Sequence, residues 1–366
     1  MSRRGENIYK RKDKRWEGRY IKGRKANGKI QYGYVYHKNF KKMRKKLLAK
    51  KWEYQQIQEV QGTYAGSVRD WLTYCLDKKK PQVKESTFTT YLYKVEKYVF
   101  PYIGELSLRE VSQNDVQEWV TALVERPLSS NMIHTVFQLA HRFFVQALKE
   151  GHLGFDPFQD VVLPTKDVKK VEPLTSVEQE KIEKAAAQDE KGKPVLLALQ
   201  TGLRIGEVAG LRWEDIDFST NLITIHRTYQ RILIVGSGTR LVLSRPKTRA
   251  SERVIPMSNA LRKWLLSWQP VNASGFVFQV KNHPMEPRLI SYHFKRICKI
   301  AGVEDCHFHQ LRHTFATRLL EKQGTIADIS SLLGHSSTQM TLDVYTGSDL
   351  TERRKMVNRL DVTWVG

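Results

Sequence analysis

The chain has 366 residues, enough for two or three domains with sizeable cores. Its formal charge of +23 is concentrated at one end, because residues 1–56 hold 20 Lys and Arg but four acidic residues and so carry +16. Such an excess predicts attachment to a polyanion, most simply DNA phosphates, and the interleaved apolar and aromatic residues argue against a plain solubilising tail. No apolar run reaches the roughly 18 residues of a membrane span and no signal-peptide pattern is present, so we expect a cytoplasmic, nucleoid-associated protein.

The three cysteines, Cys75, Cys298 and Cys306, are scattered, odd in number and lack metal-ligand spacing. This pattern predicts reduced thiols and argues against a disulfide framework. The sequence also lacks a paired-carboxylate metal site and a glycine-rich nucleotide loop. We therefore expect chemistry without a metal, ATP or other cofactor.

Residues 1–60 are predicted to form a small basic domain of three strands and one helix. Runs rich in Ile, Tyr, Trp and Val predict strands at residues 7–11, 16–22 and 30–37. The helix is expected at residues 41–56. The apolar stripe of that helix contains Met43, Leu47, Leu48 and Trp52.

Alternation along the third predicted strand places Tyr32, Tyr34 and Tyr36 on one face of the sheet. Basic side chains on such a small sheet suit a DNA groove or the phosphate backbone. The candidate DNA contacts in this domain are Arg15, Arg19, Lys22 and Arg24.

Residues 64–160 have a helical pattern, after a linker expected at residues 62–66. A first helix carries Val68, Trp71, Leu72 and Leu76, and the next is expected at residues 87–100. Two further helices open at the serines of Ser112-x-x-Asp115 and Ser129-Ser130. The residues alone leave open an ordinary helical bundle that makes no DNA contact.

A second linker is predicted at residues 161–173, with Lys166, Lys169 and Lys170 as further candidate DNA contacts. A capping box, Thr175-x-x-Glu178, then starts a mainly helical domain at residues 174–366. That domain contains a small antiparallel sheet between residues 222 and 257. The expected fold class is therefore α+β and multidomain.

The C-terminal domain contains an ordered set of chemically active residues. Arg204 stands in TGLRIGEVAGLRWEDID, His309 and Arg312 in HFHQLRHTFATRLL, and His335 and Tyr345 in SSLLGHSSTQMTLDVYTG. Guanidiniums can clamp phosphate oxygens bidentately, and imidazoles can move protons. A phenol can attack phosphorus covalently. The ordered set predicts metal-free phosphoryl transfer.

These stretches, together with RPKTRASERVIP, lie within residues 195–346 and resemble the tyrosine recombinases of the phage-integrase type. The resemblance implies that Arg204 and Arg312 bind the scissile phosphate and that Tyr345 is the nucleophile. An arginine could instead pair with an acid, such as Glu207 or Asp215.

The resemblance also assigns the proton transfers. His309 takes the proton of the attacking phenol, and His335 hydrogen-bonds to the phosphate. Lys247 protonates the departing 5′ oxygen, a role worth roughly 100- to 10,000-fold in rate. Glu207 is given a supporting role, in which it orients His309 or an arginine. The competing residues of the same types are His307, His313, Tyr229 and Tyr292.

By the same resemblance, the first domain is an arm-type DNA-binding domain and the helical one a core-binding domain. The implied function is a site-specific DNA recombinase that integrates and excises a mobile element through a 3′-phosphotyrosyl intermediate. The alternatives are a type IB topoisomerase-like relaxase and a catalytically inactive DNA-binding regulator. The implied partners are crossover and arm-type DNA, an excisionase and a host DNA-bending protein.

The tail from residue 348 is predicted to contain a short helix. Its apolar stripe consists of Leu350, Val357, Leu360 and Trp364. The stripe could pack on its own domain. The resemblance implies that it docks on a neighbouring subunit in a DNA-bound tetramer.

Overall fold

The structure is a computed structural model that describes residues 7–167, 171–234, 236, 238–245 and 251–334. These residues fall into two compact units. The first comprises residues 7–167, 233–234, 236 and 238, and the second residues 171–232, 239–245 and 251–334. Among the described helices, none is both long enough and apolar enough to cross a bilayer.

The first unit contains a sheet followed by helices. Its strands are β1 (Ile8–Lys10), β2 (Trp16–Arg24) and β3 (Ile30–His37). Its helices are α1 (Phe40–Gln61), α2 (Val68–Lys79), α3 (Glu85–Tyr98), α4 (Phe100–Ile103), α5 (Gln113–Val124) and α6 (Ser130–Lys149). The predicted three strands and first helix are confirmed, although α1 continues to Gln61.

One face of the antiparallel β1-β2-β3 sheet packs on α1. Met43 and Leu47 are buried there, but the other two members of the predicted stripe are not. Leu48 and Trp52 are 56% and 68% exposed, because a helix that meets a sheet on one side buries only a narrow strip. That part of the predicted stripe was wrong.

Residues 62–66 connect α1 to α2 and are packed into the unit. The side chain of Tyr64 is buried, and its ring contacts that of Trp71 with centroids 5.5 Å apart. The end of β2 bonds to this segment, since Arg24 N–H donates to Thr63 O and Ala65 N–H to Arg24 O. The segment that we expected to be a linker therefore has both a buried anchor and backbone pairing.

The helices α2 to α6 enclose a core centred on two tryptophans. Trp71 and Trp119 are buried, and their indole N–H groups donate to Phe143 O and Tyr98 O at 2.8 and 2.6 Å. These bonds satisfy the only polar atoms that the two large rings bring into the core. The helix predicted at residues 87–100 is divided into α3 and α4.

After residue 171 the chain is mainly helical. The helices are α7 (Ser176–Ala187), α8 (Lys193–Thr201), α9 (Ile205–Gly210), α10 (Asn259–Leu266), α11 (Pro287–Ile300), α12 (Phe308–Glu321) and α13 (Ile326–Leu333). The strands are β4 (Ile216–Asp217), β5 (Leu222–Ile225), β6 (Thr228–Ile234), β7 (Gly238–Ser244), β8 (Arg253–Pro256), β9 (Gln279–Val280) and β10 (His283–Pro284).

The strands between residues 222 and 257 belong to two sheets, where we had predicted one. β4, β5 and β8 form an antiparallel sheet, and β6 and β7 form a separate two-stranded sheet. The α+β fold class is confirmed. All three cysteines are buried and free, as predicted for reduced thiols.

One face of α12 is bonded to the segment that leads into α7. Gln310 Nε2 donates to Glu172 O at 3.1 Å, and Arg318 Nη2 donates to Leu174 O at 2.8 Å. Between them, Leu174 N–H donates to the buried hydroxyl of Thr314 at 2.9 Å. The spacing of four residues places these three side chains on one face of the helix.

Thr314→Val should therefore destabilise the second unit. The substitution keeps the shape but leaves the N–H of Leu174 without its acceptor, which should cost about 1–3 kcal/mol in the free energy of unfolding. The control is Thr317→Val, since that hydroxyl bonds only within α12, to His313 O. Urea unfolding of both variants is the measurement. Equal midpoints would mean that the Leu174 contact contributes nothing.

Candidate active site

Arg204 lies between two short helices, at a position set by Gly202. The helix α8 ends at Gly202, whose backbone is left-handed with φ of 65°. A Cβ atom there would also lie 2.4 Å from the Phe315 ring. Both the left-handed backbone and the lack of space for a side chain therefore favour glycine at this position. Arg204 is then extended and caps α9, with its side chain 34% exposed.

Glu207 is a buried carboxylate shared by two arginines. Arg204 donates to it from its backbone N–H and from Nη1, both at 2.9 Å. Arg253 donates from Nη1 and Nη2, at 3.1 and 2.9 Å. Burial alone would raise the pKa of Glu207, but the bonds and charge of Arg253, with the charge of Arg204, hold it below its ordinary value. Glu207 thus bonds to two arginines, and its expected supporting role stays a prediction.

Arg312 is buried on α12, with 2% of its surface exposed. Its Nη1 donates to Gly202 O at 2.9 Å and its Nη2 to Leu333 O at 2.6 Å. The first bond ties it to the turn that carries Arg204. The structure therefore brings the two predicted clamp arginines together.

The carboxyl end of α13 joins this cluster. Its last residues expose backbone carbonyls that no helical N–H can reach. Three consecutive carbonyls accept from three different arginines. Leu332 O accepts from Arg253 Nε at 2.6 Å, Leu333 O from Arg312 Nη2 at 2.6 Å, and Gly334 O from Arg204 Nη2 at 3.4 Å. The negative end of the helix dipole adds to these charge-assisted bonds.

Arg253 is the residue of this cluster that the sequence analysis did not assign. It stands in the quoted stretch RPKTRASERVIP, at the start of β8. A signal was present, because residues two apart on a strand share a face and Ile255 is buried. An arginine on the buried face of a strand needs acceptors for its guanidinium, and Glu207 supplies two of them.

His309 begins the same face of α12 that carries Arg312 and His313. The rings of His309 and His313 meet edge to face, with centroids 4.8 Å apart. His309 is at the surface, yet desolvation by the surrounding protein and the charges of His313, Arg312 and Arg204 lower its pKa to about 4. Burial and Arg312 also lower the pKa of His313. The ring of His309 is consequently neutral at pH 7, and its role as the proton acceptor stays a prediction.

Three of the predicted catalytic residues lie outside the described residues: Lys247, His335 and Tyr345. The predicted C-terminal tail does so as well. Gly334, which immediately precedes His335, is the last described residue, and its carbonyl belongs to the arginine cluster.

Other residues weighed in the sequence have different neighbours. Asp215 is buried and pairs with Arg227 at 3.0 Å, not with a clamp arginine. Tyr229 packs against the core of the second unit, whereas Tyr292 is 64% exposed on α11. His307 caps the start of α12. Within the described part of the chain, no group of three or more His, Cys, Asp or Glu is arranged to hold a metal ion.

The residues of the first unit that we predicted to contact DNA differ in what surrounds their side chains. The guanidinium of Arg19 stacks over Tyr32 at 4.2 Å, and that of Arg15 lies over Tyr36 at 5.8 Å while pairing with Asp13. The guanidinium of Arg24 donates to Gly28 O in the turn after β2, and Lys22 is half-buried. Lys166 is exposed, and Lys169 and Lys170 are outside the described residues.

Comparison with known proteins gives the same family as the motifs. Residues 164–352 match the Phage integrase family, and residues 67–124 match the Phage integrase N-terminal SAM-like domain. The Tyrosine recombinase XerC-like protein of Caldanaerobacter subterraneus subsp. tengcongensis is 27% identical, covering 88% of this chain and 90% of that protein. The ICEBs1 integrase of Bacillus subtilis is 24% identical, covering 76% and 78%.

Solved structures share the fold. The Tn1549 transposon integrase in complex with transposon right end DNA has a TM-score of 0.69 at 23% identity, covering 81% of this chain and 99% of that one. A lambda integrase tetramer bound to a Holliday junction has a TM-score of 0.60 at 17% identity, covering 92% and 94%. Since the family match alone spans more than half of the 366 residues, the chain belongs to the phage integrase family, the tyrosine recombinases that catalyse DNA strand exchange.

Proposed function

We propose that this chain is the site-specific integrase of a mobile genetic element, which cuts and rejoins DNA through Tyr345. The observation that carries the proposal is the convergence of Arg204 and Arg312 at the carboxyl end of α13, immediately before His335. Tyr345 follows that histidine within the same motif. His309 is near enough for the charges of both arginines to lower its pKa.

The clamp works through positive charge. Arg204 and Arg253 share the carboxylate of Glu207, while Arg312 donates to backbone carbonyls, so these four side chains hold three positive charges and one negative charge. A scissile phosphate supplies negative charge, which spreads over its non-bridging oxygens in the transition state. Arg204 is partly exposed and makes the first contact with the phosphate in this proposal, and the buried Arg312 lies beside it, bonded to the turn at Gly202.

Each proton has a donor and an acceptor. The Tyr345 oxygen bonds to phosphorus while its proton passes to neutral His309, and the bond from phosphorus to the 5′ oxygen breaks. Lys247 gives a proton to that oxygen, and His335 hydrogen-bonds to the phosphate. The 5′ hydroxyl of a partner strand then reverses these steps. One phosphoester replaces another each time, so the reaction requires no ATP.

The basic first unit favours an integrase over a relaxase. A topoisomerase-like enzyme acts at a single duplex and needs one DNA-binding region. The basic residues 1–56 would bind a second DNA site, which raises the local concentration of the linked crossover site. The proteins that this chain resembles in sequence or in structure include the ICEBs1 integrase and the Tn1549 transposon integrase. We assign arm-type DNA to residues 1–60, the core site to residues 64–160, a linker to residues 161–173 and catalysis to residues 174–366.

The proposed assembly is a tetramer on DNA, as in the lambda integrase tetramer bound to a Holliday junction. The tail from residue 348 would join neighbouring subunits. An excisionase and a host DNA-bending protein would set the direction of the reaction, at the nucleoid where the substrate lies.

Tyr345→Phe should abolish covalent attachment to DNA and leave binding unchanged. The probes are nicked duplexes tiled across the DNA that flanks the gene, incubated in EDTA without nucleotide and resolved on denaturing gels. Tyr292→Phe, at the exposed competing tyrosine, should react like the wild type. An adduct formed by the Tyr345→Phe protein would contradict the assignment, as would wild-type cleavage that requires added magnesium.

Arg19→Ala should weaken binding to flanking fragments that are not cleaved, because it removes one proposed phosphate contact. The slope of log affinity against log salt should fall by roughly 0.9. The matched control is Arg69→Ala, since Arg69 stacks over Phe100 at 4.4 Å in the helical part of the unit. An Arg19→Ala slope equal to that of the wild type would count against the proposed arm-type surface.

The imidazole of His309 should titrate at about pH 4. Above that pH the ring is neutral and can accept the Tyr345 proton, so cleavage should fall as the pH drops through this value. Arg204→Gln removes one of the cations responsible and should raise the pKa. Arg227→Gln, at the guanidinium paired with Asp215, should leave it unchanged. NMR titration checks both, and an unperturbed wild-type value near 6.5 would contradict the lowering of the His309 pKa by its surroundings.

A further inference from the structure

Arg253 has the contacts of a residue that acts through its neighbours. Its side chain is 5% exposed. Its Nε donates to Leu332 O, its Nη1 to Glu207 and to Ser251 O, and its Nη2 to Glu207. Every one of its nitrogens is thus bonded to protein, and the group is too deeply placed to meet a DNA phosphate.

Two routes lead from Arg253 to the clamp. In the first, Arg253 holds both oxygens of Glu207, and those oxygens hold the backbone N–H and Nη1 of Arg204. In the second, it holds Leu332 O, two residues before the carbonyl that receives Arg204 Nη2. A shift of Arg253 would therefore displace the Arg204 guanidinium through Glu207 and through the end of α13.

The fork shape of arginine is required at this position. The side chain must donate at once to both carboxylate oxygens of Glu207 and to the carbonyl of Leu332, which requires several N–H donors spread in one plane. A lysine keeps the charge but is a single point donor. The strand position is itself fixed, because Arg253 pairs with Ile225 in the β5-β8 register.

We propose that Arg253 is a positioning residue for recombination, which sets the placement of Arg204 at the scissile phosphate through Glu207 and the end of α13. The inference rests on the proposed function. Arg253 contributes no contact to DNA, and its substitution acts on the cleavage step more than on binding.

The test compares Arg253→Lys with the wild type on two forms of the cleaved duplex. One carries an ordinary scissile phosphate and the other a methylphosphonate, in which a methyl group replaces one charged oxygen. Misplacing a clamp by about 1 Å costs roughly 100-fold in rate, so single-turnover cleavage of the phosphodiester should slow to that order. The neutral methylphosphonate needs less positive charge, and its cleavage should slow far less.

A variant that is merely less folded loses the same factor on both substrates, because both meet the same fraction of active protein. Arg204→Ala and Glu207→Gln should show the same substrate-dependent loss as Arg253→Lys. The control is Arg227→Lys, which alters another arginine paired with a buried carboxylate in the same unit. It should keep the wild-type ratio of the two rates.

Wild-type cleavage of the phosphodiester by Arg253→Lys, or an equal loss on both substrates, would overturn the positioning role. Failure of the proposed function would give another result: the wild-type protein itself would form no covalent adduct on any flanking duplex. Because Arg253 makes no contact with DNA in this proposal, the DNA affinity of Arg253→Lys should stay within about twofold of the wild type.

Discussion

The carboxyl end of α13 is the point on which the arrangement of Arg204, Arg253 and Arg312 depends. A helix end leaves carbonyls that need donors, and a buried arginine has donors that need acceptors. The two demands meet at Leu332, Leu333 and Gly334, whose carbonyls receive Arg253, Arg312 and Arg204 in turn. One helix end thus holds all three guanidiniums of the described cluster.

Glu207 makes this concentration of positive charge tolerable. A buried guanidinium without an acid is costly, and removing one partner of such a pair typically costs about 3–5 kcal/mol. Glu207 offsets Arg253, which is almost fully buried, while Arg204 remains partly exposed. One carboxylate cannot neutralise three arginines, and the remaining charge also disfavours a proton on His309. Desolvation and these neighbouring cations thus keep the imidazole of His309 neutral at pH 7.

The sequence indicated Arg204, His309 and Arg312 because their signals are local. The spacing of His309 and Arg312 places them on one helix face, and Gly202 marks the turn before Arg204. The partner of Arg253 could not be predicted, since Glu207 lies 46 residues away and the pair forms only when β8 packs beside α9. The exposure of Leu48 and Trp52 was missed for the same reason, because how much of a helix stripe is buried depends on what packs against it.

The two units use their positive charge in different ways. In the second unit the arginines are bonded to backbone carbonyls and one carboxylate, which fixes their geometry. In the first, Arg19 and Arg15 lie on tyrosine rings at the sheet surface, so their heads stay near solvent and their stems are ordered. Fixed donors serve a transition state, which demands one geometry. Surface cations serve attachment to a phosphate backbone that repeats along the duplex, where number and salt dependence count for more than exact placement.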